Sequence, residues 1–147
     1  MTIQDQENDS FSQYYSEVKK KKEKKPRACQ LKKPRKEIGR LQVNEAVLSV
    51  KDVLARSREL GVSMTVFLTT VFLLAIHKEM TKQQEKHPVV LMVPVNLRKF
   101  FASDSMLNFF NWIEPGYHFG EGGGSFEEVL QHVKEYFERE LTTEIGR

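Results

Sequence analysis

The chain has 147 residues, 39% of them hydrophobic, a formal net charge of +3 and one cysteine. That length holds one ordinary domain, the lone Cys29 excludes an internal disulfide, and the small charge excludes a protein that is basic throughout. The polar N-terminus lacks the apolar stretch of a secretory signal, so an intracellular, reducing, cytoplasmic setting is expected.

The first forty residues hold few large apolar side chains. They carry the run KKKKEKKPRACQLKKPRK, with twelve Lys or Arg between Lys19 and Arg40, while the remainder of the chain is acidic on balance. Residues 1–40 are therefore expected to be a basic linker, extended or disordered, and residues 41–147 one compact unit. The run could neutralise phosphates and bind nucleic acid in a salt-sensitive way. No aromatic residue is interleaved in it and no helix-turn-helix or RNA-binding signature follows, so a solvated linker is the expected reading and nucleic acid is not an expected partner.

RLQVNEAVLS, residues 40–49, alternates Leu41 and Val43 with Gln42 and Asn44, which predicts a strand with one wet face. The period then changes. Ser49 with Asp52 three places on forms a capping-box pattern for a helix in which Val50, Val53 and Leu54 share a face, and Gly61 is placed to end it in a left-handed conformation. Ser63 or Thr65 can cap the next helix. Its apolar run, MTVFLTTVFLLAI from Met64 to Ile76, is too short to span a bilayer and apolar nearly all round, as in a helix enclosed by other elements. PVVLMVPV, from Pro88 to Val95, has the pattern of an inner strand buried on both faces; Pro94 costs one ladder donor and belongs near its end or on an unpaired side. MLNFFNWI is a second β-rich run and PGYHFGEGGG a turn-rich loop. Ser125 and Glu128 then form another capping box, before a helix with Phe126, Val129, Leu130, Val133 and Phe137 on one face. This order predicts an α/β fold with helices packed on a mixed β-sheet.

Residues that could carry chemistry are few. No two of His77, His87, His118 and His132 stand at a spacing that shares a helical face, and Cys29 lies in the basic tail, so no metal site is expected. His132 and Glu128 read as a helix-face contact rather than an acid/base pair. GEGGGS before a helix resembles a phosphate cradle but lacks the Gly-Lys-Ser/Thr ending and carries the repelling Glu121, so a nucleotide site is not expected. There remains the exit of the PVVLMVPV strand, where Asn96 and Arg98 follow an apolar run. A guanidinium at a strand end suits a bidentate carboxylate, and no acidic residue of the chain is an evident mate; a solvated arginine, or one bonded to nearby carbonyls, is the alternative.

Three blocks, VSMTVFLTTVFLLAIHKEM, VVLMVPVNLRKFFASDSMLNFFNWIEP and SFEEVLQHVKEYFERELT, resemble the alcohol acetyltransferase-like branch of the CoA-dependent acyltransferase superfamily, which also holds chloramphenicol acetyltransferase and the condensation domains of peptide synthetases. NDSFSQYY near the N-terminus is similar to the linker downstream of that branch's catalytic motif. The resemblance implies that residues 41–147 are part of a C-terminal, chloramphenicol acetyltransferase-like subdomain. It implies an activity that moves an acyl group, acetyl being the expected one, from a CoA or carrier-protein thioester to an alcohol or amine. That thioester is a co-substrate, and no tightly bound cofactor is implied.

The family's catalytic His-His-x-x-x-Asp motif is absent: the residues four places after the histidines are Thr81, Leu91, Gly122 and Tyr136. The resemblance thus implies an internal fragment, inactive alone, whose partner is an N-terminal half carrying the motif. By the same resemblance Arg98 matches an arginine that pairs with the motif's aspartate, Asn96 stands with it, and Asn108 matches a position lining the tunnel between subdomains; none of the three is a catalytic group. The other reading is a non-catalytic binding or interaction module whose basic tail contacts acidic partners.

Overall fold

The computed structural model describes residues 10, 14, 25–30, 43, 45–121 and 123–143. Among them are three α-helices, α1 (Val50–Glu59), α2 (Met64–Lys78) and α3 (Phe126–Thr143), and four short strands, β1 (Val89–Val90), β2 (Val93–Asn96), β3 (Phe110–Ile113) and β4 (Gly116–Tyr117). The α/β class holds, with helices laid on small sheets whose described pairings are all antiparallel.

Helix boundaries fall where side chains can satisfy the unpaired ends. Ser49 accepts from the Asp52 N–H to start α1, and Ser63, not Thr65, accepts from the Val66 N–H to start α2. Gly61, at φ 66°, closes α1: its own N–H reaches the Arg58 carbonyl at 3.0 Å and the Val62 N–H the Ser57 carbonyl at 3.0 Å, a pair of bonds that needs a left-handed residue between them. At α3 the capping box is complete, with Ser125 Oγ accepting from the Glu128 N–H at 3.2 Å while Glu128 Oε2 accepts from the N–H groups of Ser125 at 3.0 Å and Gly124 at 2.8 Å. Those two N–H groups hold the Glu128 carboxyl below its ordinary value.

β1 to β4 are one ribbon in a single register. Val89 pairs with Tyr117, Val93 with Ile113 and Asn96 with Phe110. The break between the two sheets has a chemical cause. Leu91 still donates to the Pro115 carbonyl at 2.9 Å, but Pro115 has no N–H to return, and the neighbouring Glu114 N–H is taken by Tyr136 Oη at 3.1 Å. Since the N–H groups of Leu91 and Leu97 both point to the facing strand, Pro94 turns its missing donor to the outer edge, as expected from the sequence.

The core is a wedge of α2 and α3 against one face of this ribbon: Leu73, Val129 and Val133 have no exposed surface, and Val66, Val89, Ile113, Phe119, Leu130 and Phe137 close around them. Each such side chain contributes about 1.5–3 kcal/mol through burial. Phe126 packs on the same cluster, so the predicted face of α3 is the observed one. Gly120 lies against the Glu85 carbonyl so closely that a Cβ there would collide with it, which fixes the turn after β4 onto the turn after α2.

Three expectations are corrected. Val43 and residues 45–49 form no strand, and Val43 and Val47 are exposed; the rest of RLQVNEAVLS lies outside the described residues. The PVVLMVPV segment is not buried on both faces, because Val90, Met92 and Pro94 face outward while Val89, Leu91, Val93 and Val95 face the helices, so its unbroken apolar character hides a one-sided ribbon. Likewise α2 is not enclosed all round, since Val71 and Phe72 are exposed on the side away from α3. Among the described residues no helix is long and apolar enough to cross a membrane; α1 and α2 pass that test only as a pair, bent by 90°.

Of the basic run, residues 25–30 are described, and they are extended and docked. The Cys29 N–H donates to the Pro88 carbonyl at 2.8 Å, Lys25 Nζ to Glu114 at 2.5 Å, and Gln84 Nε2 to the Gln30 carbonyl at 3.3 Å. The ion pair shifts both partners, Lys25 upward through its bond to Glu114 and Glu114 downward through the same bond.

Candidate functional site

The β2 strand ends in a 3-10 turn, Leu97–Lys99, and its cap is Asn96, whose Oδ1 accepts from the Arg98 N–H at 3.0 Å. An amide suits this place because it can bond its own backbone two residues on. Leu97 is buried against Phe109 and donates to the Phe109 carbonyl at 3.1 Å, so both ends of the intervening loop are pinned at one point. From that turn Arg98 reaches across the loop: Nη2 donates to the carbonyls of Ser105 at 2.7 Å and Leu107 at 2.5 Å. Nε and Nη1 have no partner among the described residues.

Serines complete the loop. Ser103 Oγ accepts from the Ser105 N–H at 3.3 Å, and the buried Ser105 accepts from the Leu107 N–H at 3.1 Å. Two residues from the N-terminal stretch close over it, Tyr14 donating to the Ala102 carbonyl at 2.7 Å and Ser10 sharing a 2.5 Å bond with Ser103. Tyr14 also packs on Phe101 and Phe109, with ring centroids 4.9 and 6.0 Å apart. The arrangement is an ordered loop with a guanidinium at its mouth.

Of the three residues singled out from the sequence, Asn96 and Arg98 are joined in one turn. Asn108 lies on the same loop beside the Leu107 carbonyl that Arg98 binds, but its side chain is exposed and makes no hydrogen bond among the described residues. The sequence left Arg98 either a carboxylate partner or nearby carbonyls, and one of its nitrogens takes the carbonyls. Ser10, Tyr14, Ser103 and Ser105 were not foreseen; their only sequence trace is the FASDS cluster and the NDSFSQYY stretch, which give polar side chains without saying what they close upon.

The histidines lie elsewhere. His77 Nε2 lies 3.1 Å from Glu85 Oε1 and its ring stacks on Phe119, with centroids 3.9 Å apart and planes at 5°. The His77 bond lowers the Glu85 carboxyl below its ordinary value. His118 Nδ1 is 3.4 Å from Glu121 Oε1 without the alignment of a hydrogen bond, and is a buried atom with no partner. His132 meets Tyr117 edge-on at 5.3 Å rather than Glu128. His87 lines a polar cleft of about 440 Å³ with Cys29, Arg27 and Gln84. His87 and His118 flank the ribbon end opposite Arg98, roughly 30 Å away at about 3.3 Å per residue.

Neither a curated protein nor a solved structure matches the chain. A family model does: the one described as alcohol acetyltransferase matches residues 4–134, taking in the NDSFSQYY stretch, the docked segment, the ribbon and the Arg98 loop. With most of its length covered by that model, the chain belongs to the alcohol acetyltransferase family, a family of acyltransferases.

Proposed function

We propose that this chain supplies the supporting half of an acyl-transfer site, in which the Arg98 turn braces a catalytic histidine loop carried by a different polypeptide segment. The reaction is transfer of an acyl group, acetyl in the first instance, from a CoA or carrier thioester to an alcohol or amine. The observation that carries this reading is the divided guanidinium of Arg98. One nitrogen, Nη2, fixes its own loop, while Nε and Nη1, which lie on opposite sides of the guanidinium and form no fork together, each keep an N–H able to donate a single bond to a carboxylate such as the aspartate of a His-x-x-x-Asp segment. Asn96 sets the turn that aims the guanidinium, and Asn108 stands at the open side of the loop, where it would line the passage for substrate.

No histidine of this chain is followed by the aspartate that the chemistry needs, and His77 is already held between Glu85 and Phe119. The chain alone should therefore release no CoA from acetyl-CoA with any primary alcohol or amine, an oriented base being worth about 10²–10⁴ in rate. Thioester-dependent transfer by the purified chain, abolished by replacing any one of its four histidines, would overturn the proposal. A second reading, a non-catalytic interaction module, is favoured by one observation: Met92, Phe110 and Trp112 are exposed together on the outer face of the ribbon. A complementing histidine-bearing segment that restores turnover decides for the first reading.

A further inference from the structure

A groove of about 580 Å³ lies between the α1–α2 turn and α3; Leu141 at its α3 end also packs on Leu97 and Phe109 beneath the Arg98 loop, but neither Asn96, Arg98 nor Asn108 lines it. Its floor is apolar, made by Val62 and Val66 at the start of α2 and by Phe137 and Leu141 on α3. Two cations stand at its rim, Arg58 from the last turn of α1 and Lys134 from the middle of α3. Neither has an ionic partner among the described residues: the nearby Glu59 is taken by Arg56 at 2.9 Å, and Glu138, the one carboxylate lining the groove, has an interaction of its own. An apolar trough of ligand size with two unpaired cations at its lip has the chemistry of a site for an anionic amphiphile. Alkyl carbons would cover Val62, Val66, Phe137 and Leu141, and the head group would sit between the guanidinium and the ammonium. We propose that this groove binds a free straight-chain fatty carboxylate.

The choice of a single-chain carboxylate over a neutral ligand rests on charge. Two cations and one carboxylate leave a net positive rim, and the guanidinium offers a planar fork that matches a carboxylate. The choice of an alkyl tail rests on the floor, where the side chains are aliphatic except for Phe137, and the one lining hydroxyl, Ser63, is engaged in capping α2 through the Val66 N–H.

The test is calorimetric titration of the whole 147-residue chain with sodium decanoate below its micelle concentration. Decanol, decyltrimethylammonium and anionic phospholipid vesicles are run in parallel, with amide NMR shifts to locate the site. Expected is saturable binding of decanoate at one site, shifts confined to residues 58–66 and 134–141, and weaker binding of decanol and of the ammonium amphiphile. Replacing both Arg58→Gln and Lys134→Gln should weaken decanoate at least about tenfold, the size of one charge-assisted contact, while unfolding curves stay cooperative. Equal affinity for decanol, an unchanged affinity in the double variant, shifts centred on the lysine run, or binding to vesicles alone would each overturn the assignment.

Discussion

Replacing Arg98 by alanine removes both bonds that tie the Ser105 and Leu107 carbonyls to the turn after β2. Hydrogen bonds to a charged donor contribute about 1.5–3 kcal/mol when buried, but the Leu107 contact is exposed and the Ser105 contact only partly buried, so the low end applies and the pair is worth about 1.5 kcal/mol. For a folded body of this size that corresponds to a fall in Tm of roughly 6–12 °C. Arg98→Lys keeps a cation with three donors able to meet both carbonyls and should lose less than half as much. In an enzyme complemented with a histidine-bearing segment, however, the lysine variant lacks the Nε and Nη1 donors while its ammonium is held by the two carbonyls, and kcat should fall markedly, with KM little changed. Differential scanning calorimetry of the three chains and steady-state acetyl transfer measure the two effects separately. A Tm for Arg98→Ala within one degree of the parent would refute the bracing of the loop. An unchanged kcat for Arg98→Lys would refute the carboxylate partner.

Leu73→Ala, at a site with no exposed surface, should cost about 2–5 kcal/mol by chemical denaturation, enough to leave the cooperative transition barely detectable. Ser125→Ala removes the cap of α3 and should cost about 1 kcal/mol in the same assay. Glu128→Gln should destabilise at neutral pH only: because the folded carboxyl is depressed, its contribution is full above the ordinary carboxylate pKa and is lost as pH falls through the depressed one, so melting curves of parent and variant should converge in acid. Glu114→Gln releases Lys25 and should loosen the docked 25–30 segment, seen as faster alkylation of Cys29 in the variant than in the parent, with high salt narrowing the difference.

The helix starts and stops were legible because each depends on residues within a few positions: Gly61 and the Ser125–Glu128 box behave as the spacing predicts, Ser49 caps α1 with one half of its box, and of Ser63 and Thr65 it is Ser63 that caps α2. What the sequence hid was sidedness. Met92 and Phe72 are as apolar as Leu73, and periodicity has no means of telling an apolar side chain that meets α3 from one that meets solvent. The expected strand over residues 40–49 rested on alternation alone, a signal that a strand shares with any polar-apolar coil until a partner strand is found. At the site, Arg98 and Asn96 could be picked out because a charge and an amide end an apolar run. The serine lattice beneath them was invisible, since Ser10 and Ser103 are joined across 93 positions.

The outer rails of the ribbon have a consequence for how the protein behaves at high concentration. Strands that stop at two-membered pairings normally leave rows of unused N–H groups on which another chain can grow. Here the β2 rail is interrupted by the imino nitrogen of Pro94, while on the β3 side the Trp112 N–H is turned to the adjacent Asn111 Oδ1 at 2.8 Å and the Glu114 N–H to Tyr136. Neighbouring molecules therefore find no continuous backbone template to extend. The aromatic face formed by Phe110 and Trp112 can be approached broadside, by packing, whereas edge-to-edge pairing is interrupted at Pro94, Trp112 and Glu114, in the very strands whose composition would otherwise favour it.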